Sequence, residues 1–234
     1  MTMLLAFDMK TSVFTYILTN FLYTLILSFT WYQSRHRNWG VGLILADFIL
    51  KGIGMSLACM RETWPPTITI LLANIFMFSG SVCMLMGMAQ FLKCRIIRWP
   101  LFLYTLLFAS LYAWFALVTP DVRVRIVLFG GMFAPLMLSL CHLIFFKADA
   151  AHRRYATQVG ITAFLFALVS LARCVFAITG EPMVSYFNQP STDSFLVIVC
   201  QILSIYLAYS IQLMINTKLF DLADLQLNEF QKMV

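Results

Sequence analysis

Seven stretches of this chain stay apolar for long enough to cross a lipid bilayer. They run Thr11–Tyr32, Trp39–Met60, Thr67–Leu92, Trp99–Val118, Val124–Phe146, Tyr155–Ile178 and Ser194–Ile215. A spanning helix needs about 20 predominantly apolar residues. In hydrocarbon every backbone N–H and C=O must be satisfied within the protein, so only helices and closed barrels persist there. Stretches of this length read as helices. Charged residues make up only 11% of the 234, against roughly 25% in a soluble domain. The expected fold is therefore all-α: a polytopic membrane protein built as a seven-transmembrane-helix bundle. The connections are mostly short, which makes residues 1–216 one compact domain. The first stretch is too long for a signal-peptide core and no small-residue cleavage site follows it, so it reads as a retained helix.

The net charge of +6 is a topology signal and does not point to nucleic acid. Arg35, Arg37, Lys93, Arg95, Arg98, Lys147, Arg153 and Arg154 all fall in the connections between spans 1–2, 3–4 and 5–6. The opposite connections carry Arg61, Arg123 and Arg125, offset by Glu62, Asp121, Glu181 and Asp193. Positive residues mark the cytoplasmic side, so the N-terminus is outside and the C-terminus inside. Membrane lipids, with anionic headgroups against the basic connections, are the expected partners.

Most catalytic and cofactor classes find no support in the residues. No Gly-rich phosphate loop, H-E-x-x-H, G-x-S-x-G or paired catalytic carboxylate is present, so no enzyme activity, catalytic residue or metal site is expected. The six cysteines include no C-x-x-C pair and read as small apolar side chains. Retinal would need a lysine in the last span, and Ser194–Ile215 has none; Lys218 lies beyond it. No cofactor is expected. The one alternative is haem, held by His142 near the inner end of span 5 with His36 or His152 from a connection.

What remains is an intramembrane polar set. Asp47 and Lys51 are four residues apart and share one face of helix 2. Lys51 lies about 18 Å from the cytoplasmic end. A charge at that depth is costly and belongs against protein or in a water-filled cavity. Asn20 lies at similar depth, and Asn74, Arg173 and Gln201 fall in the outer half of spans 3, 6 and 7. Lys51, Asn74, Arg173 and Gln201 are thus candidate contacts for a small ligand or lipid. The competing reading is a structural ion pair between Asp47 and Lys51, with the amides bonding helix to helix. Arg173 has no acidic residue in its own span and suits an anionic group; snorkelling to the outer surface is its plainer role. The longest outer connection, Thr179–Ser194, is a candidate lid through Glu181, Tyr186 and Phe187, with Trp64 beside Pro65 and Pro66 on the same side. Residues 217–234 carry leucines at 219, 222, 225 and 227, interleaved with Asp221, Asp224 and Glu229. They read as an amphipathic helix continuing span 7 into the cytoplasm, either pairing with a second copy or lying on the inner leaflet.

The run from Asp8 to Leu92 resembles the membrane input region that precedes GGDEF (diguanylate cyclase) domains in bacterial signalling proteins. The matching pieces are Asp8-Met9-Lys10-Thr11, Trp31-Tyr32, Met60-Arg61-x-x-x-Pro65-Pro66, Leu72-Ala73-Asn74, Gly80, Gly87 and Gln90-Phe91-Leu92. Related regions also precede histidine kinases. The resemblance implies a sensory module of the bacterial inner membrane. Such a module is usually a homodimer and reports to a cytoplasmic GGDEF-type or kinase output domain, here in cyclic-di-GMP signalling. It names no ligand. The chain stops at Val234, where a linker would begin, so the expectation is either a membrane domain of a longer protein or one that signals through a partner. Two other classes stay open. One is a structural or cofactor-holding subunit of a larger membrane complex. The other is a small transporter, which would favour inverted repeats that are not visible here.

Overall fold

A computed structural model describes residues 9–35, 40–60, 63–179 and 191–233, and every long element among them is helical. The helices are α1 (Met9–Ser34), α2 (Val41–Cys59), α3 (Pro66–Phe91), α4 (Arg98–Leu117), α5 (Val122–His142), α6 (Ala150–Thr179) and α7 (Ser191–Met233). A π-helical turn, Leu143–Lys147, continues α5. Each of the seven is long and apolar enough to cross a membrane. The chain is an all-α seven-helix membrane bundle.

Local chemistry sets the helix ends. α3 opens on Pro66 after Pro65, because a proline's missing N–H costs nothing in a first turn. α5 opens on Asp121, whose carboxylate accepts from the backbone N–H of Arg123 at 2.8 Å and of Val124 at 3.3 Å. This cap starts α5 two residues earlier than hydropathy suggests and draws Arg123 into the helix beside Arg125. α3 closes with Lys93 in the left-handed region at φ 55° and the Cys94 N–H bonded to the Ala89 carbonyl at 2.8 Å, a C-terminal cap. α7 passes Ile215 without a break and runs 43 residues, about 64 Å at 1.5 Å per residue.

Lipid exposure explains why no helix has one strongly apolar face. Phe102, Leu103, Leu106 and Leu107 of α4, like Phe21, Leu22 and Leu25 of α1, point outward. Outside and inside are both apolar, so helix association rests on close packing and interhelical hydrogen bonds. The closest seam joins α2 to α3. There Ala73, Gly80 and Gly87 recur every seventh residue along α3, and all three are buried. A Cβ on Gly87 would lie 2.9 Å from both the Gly40 carbonyl and the Ile44 nitrogen of the α2 side, so the two backbones touch where side chains would ordinarily keep them apart. The end of the bundle at Phe91 and Ile144 is solid: Met88, Phe91, Ile144, Ile211 and Met214 are fully buried. Midway, the rings of Phe78 and Phe108 stack with centroids 3.9 Å apart, tying α3 to α4.

The charge asymmetry gives a first test. In a chain freed of its native cysteines, Thr119→Cys in the α4–α5 connection is expected to react with a membrane-impermeant maleimide on intact cells. Asp149→Cys, in the π-turn–α6 connection, is expected to react only after permeabilisation. Both positions are exposed. Labelling of both from one side would overturn the orientation.

Candidate functional site

Asp47 and Lys51 form the polar centre of α2. The Lys51 Nζ lies 2.8 Å from each carboxylate oxygen of Asp47. The Asp47 side chain is wholly buried, while that of Lys51 keeps 23% of its surface. Asp47 is sunk in the α2–α3 seam: a Cβ on Gly80 would sit 2.9 Å from its Oδ1 and 3.0 Å from its backbone oxygen. Lys51 reaches out of that seam into a cavity. The pair is therefore an internal ion pair and one wall of a chamber at once.

The chamber has a volume of about 510 Å³, and all seven helices contribute to its wall. Pockets for small ligands typically span roughly 300–1,000 Å³. Lys51, Asn74 and Arg173 all line it. Gln201 does not; it faces α1, where its Oε1 accepts from the Thr15 hydroxyl at 3.5 Å. Arg125, Tyr16 and Ser204 are lining residues that were not among the sequence candidates. Arg125 projects from the first turn of α5, its Nε donating to the Asp121 carbonyl at 3.2 Å. Tyr16 of α1 and Ser204 of α7 line the wall together and share a short hydrogen bond across it. Asn20 lines the wall as well, and its Nδ2 donates to the Phe48 carbonyl at 2.9 Å, joining α1 to α2. Asn74 Nδ2 donates to the Ile70 carbonyl of its own helix at 2.7 Å.

The lining is asymmetric in charge. Among the described residues, Lys51, Arg125 and Arg173 bring cationic side chains to the wall and no carboxylate lines it. Asp47, buried behind Lys51, is paired with it, and Asp121 stands one turn before Arg125.

Of the candidate lid, Trp64 is 57% exposed and is not part of the cavity wall; it stands at the outer end of the bundle as a headgroup-level anchor would. Glu181, Tyr186 and Phe187 lie outside the described residues. His142 is exposed at the cytoplasmic end, where its ring stacks on Phe146 with centroids 5.3 Å apart. It does not line the chamber, and the side chains of His36 and His152 lie outside the described residues. Set against known protein families, curated proteins and solved structures, the chain matches none of them.

Proposed function

We propose that this chain is a sensory module of the bacterial inner membrane. It binds a small ligand or lipid in the outer-half chamber and relays occupancy through α7 to a cytoplasmic output domain or partner. The output is of the GGDEF or kinase type, and the protein works as a homodimer. One observation carries the reading. α7 contributes Val197, Cys200, Ser204 and Leu207 to the chamber wall, and the same unbroken helix runs on to Met233 in the cytoplasm.

The contacts of α7 suit a relay. At chamber level Ser204 is tied to α1 through Tyr16. About 21 Å further on, the Lys218 Nζ donates to the Phe91 carbonyl at 3.1 Å and sits 4.0 Å over the Phe91 ring. One turn beyond, Tyr155 of α6 bonds to Asp221. A ligand that presses on Ser204 shifts the balance between these attachments, provided it binds one arrangement better than the other. The extension ends in a surface with Phe220 71% exposed, and a second protomer's α7 would cover it.

Filling the chamber from α7 tests this. Single cysteines from Asp221 to Asn228 are expected to crosslink between protomers in native membranes with helical periodicity. Ser204→Trp is expected to move the maxima of that pattern. Crosslinking without periodicity, or a pattern that ignores the tryptophan, would sink the relay.

A further inference from the structure

Asn20, Lys51 and Asn74 line the chamber with hydrogen-bonding capacity that no described neighbour uses. Asn74 and Asn20 are only 9% and 7% exposed. The Asn74 Nδ2 donates to the Ile70 carbonyl at 2.7 Å, and the Asn20 Nδ2 donates to the Phe48 carbonyl at 2.9 Å. A backbone carbonyl can only accept, so each amide must turn its nitrogen towards it and its oxygen away. Neither Oδ1 has a hydrogen-bond partner among the described residues. The Lys51 ammonium carries three hydrogens. Asp47 is its partner, and two carboxylate oxygens leave at least one N–H over. The three groups stand at one level of the bundle. A Cβ on Gly52 would lie 2.7 Å from the Asn20 Nδ2, which sets Asn20 beside Lys51. A Cβ on Gly54 would lie 2.7 Å from the Ala73 carbonyl oxygen, which sets Asn74 level with Ile53, about 3 Å along the helix from Lys51. Met84 lies ten residues beyond Asn74 on α3, about 15 Å. The wall towards it is apolar, with Met84, Met137, Leu140, Phe166 and Leu207.

We propose that the ligand is an uncharged amphiphile with a single alkyl chain. Its head donates hydrogen bonds to the Oδ1 atoms of Asn20 and Asn74 and accepts one from Lys51. This rests on the reading of the chamber as a ligand site and gives that ligand a chemical class. The head follows from the fixed amides: two acceptors call for N–H or O–H groups, which an ionised carboxylate lacks. The charge of Lys51 is already met by Asp47, so the head has no charge to supply. Buried polar groups are as a rule hydrogen-bonded, and a head of this kind completes all three. A primary carboxamide does so atom for atom, with two N–H donors and one carbonyl oxygen. A vicinal diol, as in a monoacylglycerol, does so with two O–H donors. The tail follows from length. The hydrocarbon core of a bilayer is about 30 Å thick, so one leaflet's chain spans about half of that, the same reach as from Asn74 to Met84. At about 510 Å³ the chamber suits one chain better than two. Met77, Met84 and Met137 in its wall adapt to chains of varied shape.

The test uses the full chain in phosphatidylcholine nanodiscs, with empty nanodiscs as background. Binding of radiolabelled dodecanamide and monododecanoylglycerol is measured by scintillation proximity, with methyl dodecanoate, dodecanoate and acetamide as competitors. Dodecanamide or monododecanoylglycerol is expected to bind at least tenfold more tightly than methyl dodecanoate, which accepts but cannot donate. Whichever of the two binds better identifies the carboxamide or diol source. Asn74→Leu is expected to weaken that ligand at least tenfold and to leave methyl dodecanoate unchanged. Leu140→Trp is expected to shift the preference towards shorter chains. The unmodified chain decides the head by itself, whether or not a variant folds. Methyl dodecanoate binding as tightly as both donors would overturn the donating head. Dodecanoate binding more tightly than both would overturn the uncharged one. Acetamide competing as well as dodecanamide would overturn the tail. If no amphiphile binds while Ser204→Trp still moves the α7 crosslinks, water completes the amides, the ligand class is wrong and the sensory reading stands. If dodecanamide or monododecanoylglycerol binds as described but never alters the crosslinks, the ligand class stands and the relay falls.

Discussion

Lys51→Leu is expected to lower the stability of the bundle by about 3–5 kcal/mol, the usual cost of leaving one member of a buried ion pair without its partner. The geometry makes this one of the most damaging single changes available. Asp47 has no exposed surface, and both its oxygens rest 2.8 Å from the one ammonium group. The glycine behind it leaves no room for the carboxylate to turn away. The reverse change, Asp47→Leu, is expected to cost less, because Lys51 keeps a quarter of its side-chain surface and faces the chamber. Leucine has the branching of aspartate with methyl groups in place of oxygens, so the double variant fills the α2–α3 seam without stranding a charge. It is expected to be more stable than Lys51→Leu alone, as replacement of a whole buried pair by apolar groups often is. Melting of all four proteins in maltoside micelles closes a double-mutant cycle. Equal midpoints throughout would mean that the pair is not buried.

Much of this architecture is legible in the sequence, for a physical reason. Membrane insertion selects on apolar length and flanking charge, and both can be counted directly. The places where the count misleads are places where side chains override hydropathy. Val124 looks like the start of span 5 because Asp121 and Arg123 precede it closely, yet the Asp121 cap begins the helix at Val122. Ile215 looks like the end of span 7 because polar residues follow, yet α7 continues without a break, as an amphipathic stretch does when helix-forming residues carry on.

The site was half legible. Depth along a helix follows from residue number, and depth brought out Lys51, Asn74 and Arg173. Direction around the helix does not follow when both faces of a span are apolar, and Gln201 shows the consequence. It stands beside Cys200, which lines the chamber, but one residue is a turn of about 100° on a helix, and that carries Gln201 to the α1 seam. Arg125 was hidden for the opposite reason, since it reads as a connection charge until the cap is recognised. Asp121 four residues ahead of Arg125, with apolar residues following, was the available signal. Tyr16 and Ser204 had no signal in one sequence, because a hydroxyl in a span usually bonds to its own helix, as Ser210 does to the Tyr206 carbonyl.

Adding a single methyl group at Gly80 or Gly87 is expected to destabilise the protein, while the same change at Gly131 is not. In a helix interior Gly→Ala normally gains roughly 1 kcal/mol. Gly131 faces open space, with nothing within 4 Å of the new methyl, so Gly131→Ala is expected to hold or raise the melting midpoint. At Gly87 the methyl would meet two backbone atoms of the α2 side at 2.9 Å and the Ile44 Cγ1 at 2.8 Å. Backbone has no rotamer to change, so α2 must move away from α3. At Gly80 it would meet the Asp47 Oδ1 at 2.9 Å, an atom held in place by Lys51. Overpacking of this kind costs about 1–3 kcal/mol at each site, and the two changes act on one seam, so the double variant is expected to lose more than either. The shift also carries Lys51 with it, because the lysine hangs from the helix that is displaced. Gly80→Ala is therefore expected to disturb the chamber wall at Lys51 as well as lower the melting midpoint, although Gly80 does not line the chamber. If Gly80→Ala and Gly87→Ala melt like Gly131→Ala, the α2–α3 backbones are further apart than described here, and the buried position of Asp47 between them goes with that spacing.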